Sequence, residues 1–312
     1  MKRMITLDVL RGFALLGIIF INIEQMIYVN RDMSPIDLIL FRVSYVAISH
    51  RFFVIFSFLF GVGFYLFTSR AKAKGRRPIL LFLRRLLILL IFGAIHQIFQ
   101  PGESLFYYAI IGLLLIPFHR AKPAIVLSTG LFFTVAGCLT AFPVLILGMF
   151  LLGHWTGQIK LFEDPEHYKK GLRRTQIITF VLIIPMYFLQ EMILNETGYL
   201  DIALAVGGLP VSVFYVTTMI LLMRLSSVQR LFTPLANLGR LALTNYLLQT
   251  VIILTVAHAF NWSGTVHRST LFLTAILILI IQMICSTLWL RHFPMGPVEY
   301  IWRLGTYGRV RK

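Results

Sequence analysis

The sequence predicts an all-α polytopic transmembrane bundle of about ten spanning helices with both ends in the cytoplasm, and three observations carry that reading. Apolar residues make up 58% of the 312 positions and charged ones only 13%, against about 45–50% and about 25% in soluble domains. The apolar residues fall in long runs, such as Leu86 to Ile95 and Thr270 to Ile284, and roughly 18 or more such residues suffice to cross a bilayer. Lys and Arg then concentrate in alternate loops, as the positive-inside rule expects of membrane proteins.

The first helix runs from about Val9 to Val29, the second from Val43 to Thr68 and the third from Ile79 to Phe99. A fourth covers Ser104 to Phe118. A fifth and a sixth share Ala124 to Trp155, hinged near Ala141-Phe142-Pro143. The seventh spans Thr175 to Leu194, the eighth Ile202 to Met223, the ninth Leu238 to Phe260 and the tenth Ser269 to Leu290. With these spans, 24 of the 29 Lys and Arg fall on one side, including Lys2, Arg3, Arg309, Arg311 and Lys312. Arg31, Arg42, Arg51 and Arg268 fall on the other, and Arg11 sits just inside the first helix. That asymmetry puts both termini in the cytoplasm.

Residues 1–312 read as a single integral membrane domain, with no separate soluble domain and no internal repeat. The net charge of +17 would suggest nucleic acid in a soluble protein. Here it belongs to short loops, and no aromatic-rich basic module accompanies it. The N-terminus has the basic start of a signal region, yet no small-residue cleavage site follows, and Asn22 and Glu24 interrupt the apolar stretch. It is therefore read as a retained span. Cys138 and Cys285 lie alone in apolar runs, and the scattered His residues have no metal-ligand spacing, so no metal is expected.

Ionisable groups inside spans are costly and often functional. Asp8 and Arg11 lie three residues apart and share a helix face, where they can pair or prepare an anion site. Asn22 follows Arg11 by eleven residues, roughly 16 Å along nearly the same face. His96 stands near the outer end of the third helix, and Gln100-Pro101-Gly102 can turn Glu103 back onto it. A carboxylate-oriented imidazole is a unit of acid–base chemistry. Arg85 precedes His96 by eleven residues. In the ninth helix Asn245 and Gln249 are one turn apart, beside Tyr246 and after Arg240. They suit either helix packing or a polar substrate wall. Gly61 and Gly63 suggest close helix contact.

Four segments carry a resemblance. They are Leu7-Asp8-Val9-Leu10-Arg11-Gly12, Phe56-Ser57-Phe58-Leu59-Phe60-Gly61-Val62-Gly63, the stretch from Arg84-Arg85 through His96 to Tyr108-Ala109, and Gly239 to Gln249 joined to the tail Gly296-Pro297-Val298-Glu299-Tyr300-Ile301-Trp302-Arg303. Together they resemble the YeiB-like family of bacterial membrane proteins, a domain of unknown function (418). That family is distantly similar to the transmembrane acyltransferase superfamily, which includes glycan O-acyltransferases and the lysosomal heparan glucosaminide acetyltransferase. The resemblance implies acyl transfer from a cytoplasmic acyl-CoA to an extracytoplasmic acceptor, through a His. The O-acyltransferase pattern has a His eleven residues after the first-helix Arg, where this chain has Asn22. The outer acid, often Asp in the family, is Glu103 here.

The expected catalytic pair is therefore His96 and Glu103. Asp8, Arg11, Asn22, Arg85, Arg240, Asn245, Tyr246 and Gln249 are the expected donor- and substrate-binding residues. The lipid bilayer, an acyl-CoA co-substrate and a lipid or envelope-glycan acceptor are the expected partners, with no tightly bound cofactor and no nucleic acid. A transporter or lipid flippase, and a membrane scaffold, are the alternatives the same residues allow.

Overall fold

A computed structural model describes residues 4–30, 32–262 and 264–308. Lys2, Arg3, Arg31, Arg309, Arg311 and Lys312, all part of the charge count above, lie outside the described residues. The chain is all-α, and the one β feature among the described residues is an isolated bridge between Val29 and Val266. The helices are α1 (Ile5–Met26), α2 (Pro35–Val43), α3 (Arg51–Ala73), α4 (Pro78–His96), α5 (Leu105–Leu113), α6 (Pro123–Leu139) and α7 (Phe142–Gln158). They continue with α8 (Lys169–Thr197), α9 (Leu200–Leu222), α10 (Ser226–Leu231), α11 (Thr233–Arg240), α12 (Ala242–Ala259), α13 (Arg268–His292) and α14 (Pro297–Tyr307).

Seven segments are long and apolar enough to cross a membrane: α1, the stretch Pro35–Ala73, α4, α8, α9, α12 and α13. The fourth, fifth and sixth expected spans correspond to shorter helices. Proline sets several of the boundaries. Pro78 and Pro123 stand in the first turns of α4 and α6, where the missing N–H is no loss. The expected hinge between the fifth and sixth spans lies at Thr140 and Ala141, with Pro143 in the first turn of α7.

Two boundaries differ from the expectation. The second span does not begin at Val43. Ser34 and Asp37 form a reciprocal capping box that starts α2, and a π-turn, Ser44–Ile48, joins α2 to α3 through His50, whose φ is 64°. The ninth span does not begin at Leu238. Backbone at Leu241 leaves helical geometry between α11 and α12, so Arg240 ends one helix rather than starting the next turn of another.

Close backbone approach explains the tightest crossings. A Cβ on Gly12 would lie 2.1 Å from Leu235 O, and one on Gly239 would lie 1.9 Å from Asp8 O. α1 and α11 can therefore touch along their backbones only because both positions lack a side chain. The same reciprocity joins α3 and α7: a Cβ on Gly61 would meet Phe150 O at 1.9 Å, and one on Gly153 would meet Phe58 O at 1.9 Å. Gly63, expected to share that role, faces open space.

The core is a pair of apolar clusters. One surrounds α1, with Leu10, Ile19, Ile55, Leu238 and Leu271 among its members. The other joins α4 and α5 to α3 and α7 through Phe64, Phe82, Leu115 and Phe150. Polar residues gather at the two ends of α1 and α4, and these ends define the site.

Candidate functional site at the ends of helices 1, 4 and 12

α4 ends at His96, and the chain then turns through Gln100 and Gly102 before α5 begins. Gln100 Nε2 donates to Gln25 Oε1 at the end of α1 (3.1 Å). Gly102 leaves room for Gln25, since a Cβ there would lie 1.8 Å from the same oxygen. The turn returns Glu103 to His96. Glu103 Oε2 contacts His96 Nδ1, and Oε1 accepts from the Leu105 N–H at the start of α5.

Two residues of α12 complete the array. Thr250 Oγ1 lies 2.8 Å from His96 Nε2. Tyr246 Oη donates to Glu103 Oε2 (3.4 Å), and its ring lies 5.0 Å from the imidazole. Asn22 and Ser104 are within hydrogen-bonding reach of Tyr246. All of these but Ser104 are buried: Asn22 is 1% exposed, Glu103 2%, Thr250 3% and His96 6%. An ionised carboxylate can only accept, so the hydrogen on the imidazole sits on Nδ1, and Nε2 keeps its lone pair for the Thr250 hydroxyl. The order hydroxyl, imidazole, carboxylate is the arrangement by which a base withdraws a proton from an attacking oxygen.

The opposite ends of α1 and α4 are cationic. Arg11 Nη1 donates to Asp8 Oδ1 (3.0 Å). Because α1 starts at Ile5, Asp8 is a buried first-turn residue. Arg85 stacks on Trp302, its guanidinium carbon 3.8 Å from the ring centroid, and faces Phe67 at 5.1 Å. Trp302 Nε1 also donates to Arg85 O (3.0 Å). Arg240 Nη2 reaches Pro294 O (3.3 Å). A cleft of about 500 Å³ opens between the start of α4 and the turn after α5, lined by Arg77, Ile79, Ile116, His119 and Arg120. On both α1 and α4 the cationic tier and the His96 tier are eleven residues apart, roughly 16 Å.

Three of the expected residues have partners within the bundle. Asn245 Nδ2 donates to Leu238 O (3.1 Å) and Ser286 Oγ (3.0 Å). Gln249 Nε2 donates to Gln282 Oε1 (3.0 Å). Both bind α12 to its neighbours, a packing role. Arg85 is held by aromatic rings of α14 and α3. Residues not singled out from sequence also matter. Thr250 is the hydroxyl on the imidazole. Glu299, on α14, accepts from Leu243 N (2.8 Å) and Thr244 N (3.0 Å) and so caps α12. The joint presence of the Gly239–Gln249 and Gly296–Arg303 segments hinted at that contact. Among the described residues no three His, Cys, Asp or Glu side chains come together as a metal site.

Comparison with other proteins adds relatives that align over nearly their whole length. An uncharacterized 39.9 kDa protein in an amylase 3′ region of Bacillus acidopullulyticus is 37% identical, covering 99% of this chain and 95% of its own. YxaH of Bacillus subtilis (strain 168) is 28% identical over 98% of this chain and 94% of its own. YeiB of Escherichia coli (strain K12) is 24% identical over 97% and 96%. The family model described as protein of unknown function (DUF418) matches residues 156–309. No solved structure matches the chain.

Proposed function

The chain belongs to the DUF418 family of YeiB-like proteins, and on that premise we propose that it transfers an acyl group from a cytoplasmic acyl-CoA to a hydroxyl-bearing acceptor on the other side of the bacterial cytoplasmic membrane, with both termini cytoplasmic. The observation that carries this reading is the Thr250–His96–Glu103 array. His96 Nε2 removes the proton of an attacking hydroxyl as its oxygen bonds the thioester carbon. The C–S bond then breaks, and the proton passes to the departing thiolate. Glu103 and Tyr246 hold the imidazole and its carboxylate in register. The Thr250 oxygen marks the place from which a hydroxyl engages the base. Arg11, Arg85 and Arg240, at the cationic end, are the residues for the phosphates of the donor.

A titration of the detergent-purified protein with acetyl-CoA, longer acyl-CoAs and free CoA, followed by thermal unfolding, tests the donor. Ligands that bind only the folded state raise its melting temperature by mass action. A saturable rise, lost in Arg11→Ala, is expected. Labelled acyl-CoA incubated with the protein and an envelope extract tests the reaction. Glu103→Gln is expected to lower label transfer about 100-fold or more while leaving donor binding intact. Absence of any shift, together with undiminished substrate flux into proteoliposomes, would instead favour the transporter reading, in which the buried His96–Glu103 pair carries a proton.

A further inference from the structure

We propose a second site, separate from the His96 array: an anion-binding site at the N-terminus of α3, centred on Arg51, for a compact oxyanion such as a phosphate ester or a carboxylate. Arg51 is 1% exposed and belongs to a stretch apolar enough to lie in the membrane. A buried guanidinium there is costly unless a negative group compensates it. Its two recorded hydrogen bonds go to neutral oxygens: Nη1 to Ser49 O (2.6 Å) and Nη2 to Gln190 Oε1 (2.9 Å). Neighbouring acids are engaged elsewhere. Asp201 lies 3.5 Å from His50, and Glu191 faces Tyr45.

The leftover polar atoms specify the sign of the ligand. Arg51 Nε is buried and makes no hydrogen bond, and Gln190 Nε2 has only the buried Tyr45 hydroxyl beside it. Both are donors, and a guanidinium has no acceptor at all. A spare donor on a buried cation, with a second amide donor next to it, calls for a negatively charged acceptor. The start of α3, a helix of 23 residues with no side-chain cap, adds its own positive end. α9 supplies bare backbone on the facing side. A Cβ on Gly207 would lie 1.9 Å from Gln190 Oε1, and one on Gly208 would lie 3.4 Å from Arg51 Cδ. Ser212 Oγ fixes the main chain by donating to Arg51 O (3.0 Å). The segment leading in, the Ser44–Ile48 π-turn and left-handed His50, is irregular backbone at this end of the bundle.

The same chemistry fits a lipid headgroup or a free oxyanion, and delipidated protein separates them. Melting temperature is measured with sodium phosphate or acetate against sodium chloride at equal ionic strength. It is then measured with phosphatidylglycerol against phosphatidylcholine micelles. A saturable rise of several degrees with phosphate or acetate assigns the site to a soluble oxyanion, and a rise with phosphatidylglycerol alone assigns it to a lipid headgroup. Gln190→Glu places a carboxylate on Arg51 and takes the anion's role. That variant is expected to melt as high without added anion as the saturated wild type, and to lose the response. Wild-type protein that responds to none of these ligands, or a Gln190→Glu variant that keeps the full response, overturns the proposal.

Discussion

α1 and α8 have nearly equal mean hydropathy over their most apolar windows, 1.8 and 2.0, yet 61% of the α1 window is buried against 11% of the α8 window. Hydropathy is therefore not what separates a central helix from a peripheral one. Side-chain size and polarity are. α1 carries Gly12, Ala14, Gly17 and Asn22 among its buried positions, so other backbones can approach it and find hydrogen-bonding groups. α8 shows large apolar side chains outward at Ile177, Phe180, Val181, Ile184 and Phe188, which suit contact with lipid tails. Its buried polar exceptions are Thr179 and Gln190. The candidate catalytic array and the proposed anion site both form where small residues let helices close on a polar group.

The strongest way to break this contrast is to add one methyl group to the central crossing. Gly239→Ala would bring its Cβ within 1.9 Å of the Asp8 carbonyl. Backbone cannot rotate away as a side chain can, so a loss of about 3 kcal/mol is expected. Reduced folded yield in size-exclusion chromatography and a lower melting temperature would register it. A neutral outcome would mean that α1 and α11 do not touch here.

A smaller effect is expected at the rim of the same region. Glu299→Ala removes the acceptor of two backbone N–H groups at the start of α12. Loss of a helix cap costs about 1–2 kcal/mol. Because α12 carries Tyr246 and Thr250, hydrogen exchange at its first turn should rise along with the drop in melting temperature. Unchanged exchange there would show that the cap is not what holds the helix start.

The smallest effect sharpens the comparison by reversing its sign. Gly171, in the first turn of α8, has nothing within 4 Å of a built Cβ. Gly171→Ala should stabilise by about 0.5 kcal/mol, since alanine restricts the unfolded chain at no steric cost. The same change that disrupts the crossing of α1 and α11 would thus help at the periphery. A destabilised variant would reveal a neighbour at α8.

Much of the bundle was legible because long apolar runs bounded by Pro and charge leave few options. α9 and α13 fall within a residue or two of their expected limits. The turn of Glu103 onto His96 was legible too, since Pro101-Gly102 directs it and the intervening chain is short. What was not legible depended on partners distant in sequence. Asn245 and Gln249 satisfy α13 and Leu238, and only the packing of α12 decides which of its faces meets His96. Thr250 has the ordinary look of a helix threonine until His96, 154 positions away, is placed beside it. The breaks at Ser44–Ile48 and Leu241 carry no Gly or Pro, so sequence offered no punctuation for them.

Glu299 and Trp302 also fix an order of assembly. Both are translated after every long apolar helix, yet one caps α12 and the other clasps the Arg85 end of α4. The two helices that bring Thr250 and His96 together are thus fastened by a stretch synthesised after both of them. Until that stretch arrives, neither the cap on α12 nor the clasp on α4 can form.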